Sequence, residues 1–195
     1  MTTQNSFRKI ALTGGPSGGK TTLLDALKKE FGSLIKIAPE AATILYKGGF
    51  PRIQTYSGQF HAQSAILHTQ RHLEDVLQES FPDRLIVCDR GSLDSLAYWP
   101  DSEEHFFKTI NSTREKEFSR YPCIIHLDTA FEADYDTSNP VRTETFNDAL
   151  LLNQKIKQSW TGHPNRLIIP AEGDFFSKLK KATEIIAKML ETTAK

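Results

Sequence analysis

Cysteine is scarce in this 195-residue sequence: only Cys88 and Cys123 occur, each inside an apolar run. Thiols so placed are expected to be free and buried rather than bridged or metal-bound. That excludes a disulfide-stapled secreted scaffold and makes a reducing cytoplasm the expected compartment. Long hydrophobic runs are also missing, and none approaches the ~18 residues that a bilayer-crossing helix needs. Residues 1–8 are polar, without the apolar core of a signal peptide. Excess charge is absent too: 24 basic and 24 acidic side chains cancel to a net charge of 0. A neutral total argues against nucleic acid or an anionic membrane surface as the main partner, because both call for a basic patch. No repeat, low-complexity tract or linker interrupts the chain, so residues 1–195 are expected to form a single domain.

What the sequence does contain is a complete phosphate-binding pattern. Residues 14–21 read Gly-Gly-Pro-Ser-Gly-Gly-Lys-Thr, a full match to G-x-x-x-x-G-K-[ST]. The apolar Ile10-Ala11-Leu12 precedes it, and Thr22-Leu23-Leu24-Asp25-Ala26-Leu27, with helical apolar spacing, follows. A strand-loop-helix context is the one in which this pattern captures anions. Its glycines let several backbone N–H groups turn inward, and the helix N-terminus adds its positive end. Gly15, Pro16, Ser17, Gly18, Gly19 and Thr22 are the expected cradle. Lys20 is expected to reach the β- and γ-phosphates of ATP or GTP, and the Thr21 hydroxyl to hold Mg²⁺.

Five short, nearly continuous apolar runs, at 9–12, 34–37, 85–88, 123–127 and 167–169, read as parallel strands covered on both faces. Helical patterns lie between and after them at 20–31, 57–80, parts of 92–119, 144–160 and 175–191. Strands alternating with helices imply an α/β sheet with right-handed crossovers. Ligands in such sheets bind beyond the carboxyl ends of the strands. Residues 47–56, containing Gly48-Gly49-Phe50-Pro51, read as a loop over the site, and the polar stretch 129–141 as a lid segment.

The motifs at the strand ends are therefore the informative ones. The third strand runs into Asp89, the arrangement in which a carboxylate organises Mg²⁺ beside a phosphate loop. Arg90 follows and reads either as a phosphate clamp or as the partner of a surface carboxylate. Asp94, four residues further, is open to a purely structural role in a first helical turn. The second strand ends Ala38-Pro39-Glu40, where Glu40 reads either as a proton acceptor beside an attacking hydroxyl or as a carboxylate favourably placed on a helix dipole. After the fourth strand, Arg142 in Val141-Arg142-Thr143-Glu144 is the candidate lid arginine that offsets charge on a transferred phosphoryl group. After the fifth, residues 170–174 read as a turn at the carboxyl edge, either a loop on the nucleotide base, as in many folds of this kind, or a helix entry with Asp174 as its cap. On the long helix, Gln63, Gln70 and Arg71 are candidates to read a polar acceptor. His68 and His72 stand at i, i+4 but lack a third ligand at suitable spacing for a metal. Trp99 and Trp160 read as packing residues.

Taken in order, the phosphate loop, Pro39-Glu40-Ala41-Ala42, the run Asp89-Arg90-Gly91-Ser92-Leu93-Asp94-Ser95-Leu96-Ala97-Tyr98 and Val141-Arg142-Thr143-Glu144 resemble a known family. It is that of the compact AAA-type ATPases related to the ribosylnicotinamide kinase domain of NadR, a grouping that also contains the TRPL translocation defect protein. The resemblance spans nearly the whole chain. It implies a nucleoside- and nucleotide-kinase-like P-loop NTPase: a three-layer α/β/α fold, a five-stranded parallel sheet in the order 2-3-1-4-5, and a lid. It also implies Lys20 and Thr21 on phosphate and magnesium, Asp89 and Arg90 beside the phosphates, Arg142 in the lid and Glu40 near an acceptor hydroxyl. No segment resembles the second-region arginines of ring-forming ATPases.

Two functions of different class follow. One is phosphoryl transfer from ATP-Mg²⁺ to a small nucleoside-, nucleotide- or riboside-like acceptor. The other is a nucleotide-gated binding protein that hydrolyses slowly and presents its lid or its 47–56 loop to a protein or lipid. An enclosed polar pocket beside Glu40 favours the first, an open apolar groove the second.

Overall fold

Strands β1 (Lys9–Thr13), β2 (Ile35–Ala38), β3 (Leu85–Asp89), β4 (Cys123–Leu127) and β5 (Arg166–Ile169) form one parallel sheet in the order β2-β3-β1-β4-β5. The computed structural model describes residues 8–129, 145–171 and 175–193. Helices α1 (Lys20–Phe31) and α7 (Phe175–Thr193) cover one face of the sheet, and α3 (Tyr56–Ser80) and α6 (Phe146–Ser159) the other. The architecture is thus the three-layer α/β/α P-loop NTPase fold. Successive strand residues point to opposite faces. Ile10 and Leu12 accordingly join Leu23, Leu27, Val87, Ile125 and Ile186 on one side, while Ala11 joins Leu67, Ile86, Ile124, Ile156 and Trp160 on the other. The central strands β1, β3 and β4 are covered on both faces, which is why they read as nearly continuous apolar runs, whereas the edge strand β5 leaves Leu167 and Ile168 partly exposed.

The element ends follow local chemistry. Thr55 caps α3 by accepting the Gly58 N–H at 3.1 Å. Thr145 and Asp148 form a capping box that starts α6, so the helix expected at 144–160 begins at Phe146. The helical stretch expected within 92–119 is three pieces: a 3₁₀ segment at Ser92–Tyr98, then α4 (Glu103–Thr109) and α5 (Arg114–Ser119). Pro100 forces Trp99 out of helical backbone, and Asn111 turns left-handed at φ 48° between α4 and α5. A short helix, α2 (Ala41–Lys47), precedes the irregular stretch that had been expected from residue 47.

Both cysteines are free and buried on the central strands. Burial pushes the Cys88 thiol well above its ordinary value and that of Cys123 up to about 11. At pH 8 the native protein is expected to resist an aromatic disulfide reagent and to titrate two thiols once unfolded by guanidinium. A thiol that reacts on mixing with native protein would contradict this packing.

Candidate functional site

Three strand ends and one loop converge. Because β1 lies between β3 and β4, the loop leaving β1 runs directly beside both carboxyl ends. Gly14 sits at φ 133°, and a Cβ there would lie 2.0 Å from the Leu127 carbonyl oxygen. A Cβ on Gly15 would lie 2.2 Å from Thr129 Oγ1 and 2.7 Å from Asn153 Cβ. These two glycines are thus required by close approach to β4 and α6. Ser17 takes up the left-handed region at φ 56°, and Gly19 ends the loop at φ 85° as the residue capping α1. Pro16 and Gly18 complete the turn, closed by the Gly18 N–H on the Gly15 carbonyl at 3.4 Å. Lys20 is the first residue of α1, with Thr21 and Thr22 exposed on its opening turn.

Lys20 Nζ folds back over the loop and donates to the carbonyls of Gly14 at 2.9 Å and Gly15 at 2.8 Å. Burial and the neighbouring Arg90 lower its pKa to about 7, against the opposing pull of Asp89, Glu40 and Asp94. A cation held this way is short of negative charge, the charge that a phosphate supplies.

Arg90 follows the end of β3 in left-handed backbone, φ 83°, with its N–H on the Leu12 carbonyl at 2.9 Å. For a bulky residue that conformation is strained and is held by its surroundings. Among the described residues its guanidinium makes three contacts: Nε to Glu40 Oε1 at 2.9 Å, Nη1 to the Gly14 carbonyl at 2.8 Å, and Nη1 to Asp94 Oδ2 at 3.2 Å. Burial works against its charge, but Tyr98, Glu40 and Asp94 hold its pKa well above the ordinary value.

Glu40 stands at the N-terminus of α2, where the helix-dipole reading had put it. Its side chain makes no cap bond to the helix backbone. Instead it takes the Thr43 hydroxyl at 2.5 Å and Arg90. Burial opposes its ionisation, yet Arg90 and Thr43 keep it below the usual carboxylate range. Asp89, at the tip of β3, is raised to about 6 by burial and by Glu40. Its carboxylate and the Thr21 hydroxyl are hard oxygen donors, the kind that suit Mg²⁺. Among the described residues no group of three or more His, Cys, Asp or Glu could hold a metal unaided. A magnesium ion here would need phosphate and water oxygens as well, which is its usual mode.

Asp94 is buried and accepts from Thr13 Oγ1 and Trp160 Nε1, each at 2.6 Å. Behind the loop, Asn153 of α6 accepts the Gly15 N–H at 2.9 Å and donates to Asp128 Oδ1 at 2.9 Å. Lys157 also meets Asp128, at 2.7 Å, and Lys178 Nζ donates to the Gly18 carbonyl at 3.3 Å. Sequence reading passed over Asn153. The available signal was an amide on the buried stripe Ala149, Asn153, Ile156 of α6.

Other expectations change. Gln70 is buried and bonded to Ala41 N–H and Glu74, and Arg71 pairs with Glu117, so both are engaged within the fold rather than offered to an acceptor. Gln63 is buried on α3. Arg142, Glu144, most of the 129–141 stretch and Asp174 lie outside the described residues; Thr129 itself is buried against the loop. No described helix is long and apolar enough to cross a membrane.

The model of the AAA domain family matches residues 9–178. No curated protein sequence gives a match. Among solved structures, a deoxyadenosine kinase from M. mycoides with the products dCMP and a flexible dCDP superimposes with a TM-score of 0.61 at 15% identity, covering 92% of this chain and 99% of that one. The same kinase with bound dATP gives 0.59 at 14% identity over 92% and 99%.

Proposed function

The chain belongs to the AAA domain family, and on that premise we propose that it is a small-molecule kinase, moving the γ-phosphoryl group of ATP or GTP to a nucleoside-, nucleotide- or riboside-like hydroxyl. One observation carries the reading: a single guanidinium, that of Arg90, holds the Glu40 carboxylate at 2.9 Å and the phosphate loop at the Gly14 carbonyl at 2.8 Å. An acceptor-side carboxylate and a phosphate-side cation are thereby fixed in one frame, which suits in-line transfer, where positioning and charge neutralisation do most of the work. In this reading Lys20 and Arg90 neutralise phosphate charge, and Glu40 orients or takes the proton of the acceptor hydroxyl. Arg142 is assigned to the transferred group from its sequence position alone. Mg²⁺ on Thr21 and Asp89 would supply further charge neutralisation at the phosphates.

The likeness to a deoxyadenosine kinase supports the acceptor class through the fold only. Kinship with the NadR kinase domain and the TRPL translocation defect protein belongs to the same proposal and is supported by the run from Asp89 to Tyr98. The two free buried thiols support a cytoplasmic setting.

Glu40→Gln is expected to keep nucleotide affinity within about twofold while stimulated turnover falls roughly 10²–10⁴-fold, the usual yield of a positioned acid-base group. The assay is nucleotide consumption with Mg²⁺ across a panel of nucleosides, nucleotides and ribosides. Full turnover in the variant would remove Glu40 from the chemistry. The nucleotide-gated binding protein keeps one observation in its favour, an apolar cavity of about 230 Å³ lined by Phe50, Pro51, Ile53, Thr55, Ser57, Gly58 and His61. Tight nucleotide binding with slow hydrolysis that no compound stimulates would favour that function.

A further inference from the structure

Glu74, in the C-terminal third of α3, is a fully buried carboxylate outside the site. Its Oε2 meets Lys9 Nζ and Arg120 Nη2, each at 3.3 Å, so its charge is balanced. Its Oε1 accepts two more hydrogen bonds, from Gln70 Nε2 at 3.0 Å and from the Tyr121 hydroxyl at 2.8 Å. Each of these donors has its other end on the candidate site. Gln70 Oε1 accepts the N–H of Ala41, the residue after Glu40, at 3.1 Å. The Tyr121 hydroxyl oxygen accepts the N–H of Ser92, two residues after Arg90, at 2.9 Å.

The direction of both chains is dictated by the carboxylate. A flipped Gln70 amide would set its oxygen against Glu74 and its NH₂ against the Ala41 N–H, losing both bonds. A hydroxyl that donates to a carboxylate also becomes a stronger acceptor, so the Tyr121 bond to Ser92 is reinforced from behind. Two backbone N–H groups, one beside each half of the Glu40–Arg90 pair, thus end on a single buried charge.

We infer that Glu74 is a positioning residue: through Gln70 on one arm and Tyr121 on the other, it sets the placement of Glu40 against Arg90. The inference rests on the kinase reading only for its effect on turnover. The geometric claim stands or falls separately.

Two near-isosteric variants, Gln70→Met and Tyr121→Phe, each cut one arm and leave Glu74, Lys9 and Arg120 in place. The readout is solvent exchange of the Arg90 Nε–H in a nitrogen-15 proton spectrum, assigned by its loss of protection in Glu40→Ala, which removes the acceptor oxygen. Each variant is expected to exchange this proton about tenfold faster, the scale of one lost hydrogen bond, while amides of the central strands stay as protected as before. Unchanged Arg90 exchange in the folded variants, or acceleration shared evenly by the whole sheet, would overturn the assignment. Either variant suffices if the other does not fold, because the arms are separate. Where turnover is present, Gln70→Met is expected to lower kcat with nucleotide KM unchanged, and to have no further effect in a Glu40→Gln background. Multiplicative losses in the double variant would refute action through Glu40. If no acceptor stimulates the wild type, the kinase reading fails and the exchange rates still decide the positioning role.

Discussion

Lys20→Ala is expected to weaken nucleotide binding by about 100-fold or more, the loss of roughly 3 kcal/mol from charge-assisted bonds to phosphate. Among the described residues, Lys20 Nζ bonds to the Gly14 and Gly15 carbonyls and is under opposing influences from Arg90 and three carboxylates. Burial and Arg90 make its charged form unfavourable, so removing it relieves a cost in the nucleotide-free fold. The Gly14 carbonyl keeps Arg90 as a donor. The variant is therefore expected to melt within a few degrees of the wild type while failing to bind, a separation that calorimetry and thermal melts together would register. Unaltered affinity for ATP and GTP would remove the phosphate role of the loop.

The second large effect is on stability. Asp94→Ala leaves the Thr13 hydroxyl and the Trp160 N–H without their acceptor and takes a carboxylate from the part-buried Arg90 guanidinium. Breaking one partner out of such a buried network costs about 3–5 kcal/mol. For a chain of this size that is roughly a 10 °C fall in melting temperature. Asp94→Asn keeps an acceptor oxygen for Thr13 and Trp160 but not the charge facing Arg90, so it is expected to recover part of the loss. A fall of under about 2 °C in Asp94→Ala would show that the network is replaceable. Since Arg90 also holds Glu40, nucleotide-stimulated activity is expected to decline with the stability.

Much of this was legible in the chain itself. The glycines and Lys20 of the phosphate loop announce themselves because a backbone that must curl around an anion tolerates few residue types. The central strands are legible because burial on both faces strips them of polar alternation, the edge strands because they are short apolar runs, and the strand order follows from the family likeness. Asp89, Arg90 and Glu40 could be nominated because ligands gather beyond strand ends. Other features lacked a local signal. Gln70 looked available for a ligand, since nothing near it in sequence indicates the Ala41 N–H that it accepts, 29 residues away. The division at Trp99 was readable from Pro100, but the interruption at Asn111 was not.

The sequence by itself determined the elements and the anion-binding loop, because those depend on periodicity and backbone freedom over a few residues. Only the tertiary structure decided which of them meet. Arg90 reaches Glu40 across 50 residues, Asp94 reaches Trp160 across 66, and Asn153 reaches Gly15 across 138. Those pairings follow from setting β1 between β3 and β4, an arrangement fixed by which apolar faces the helices can bury together, and side chains far apart along the chain become partners only once that burial is complete.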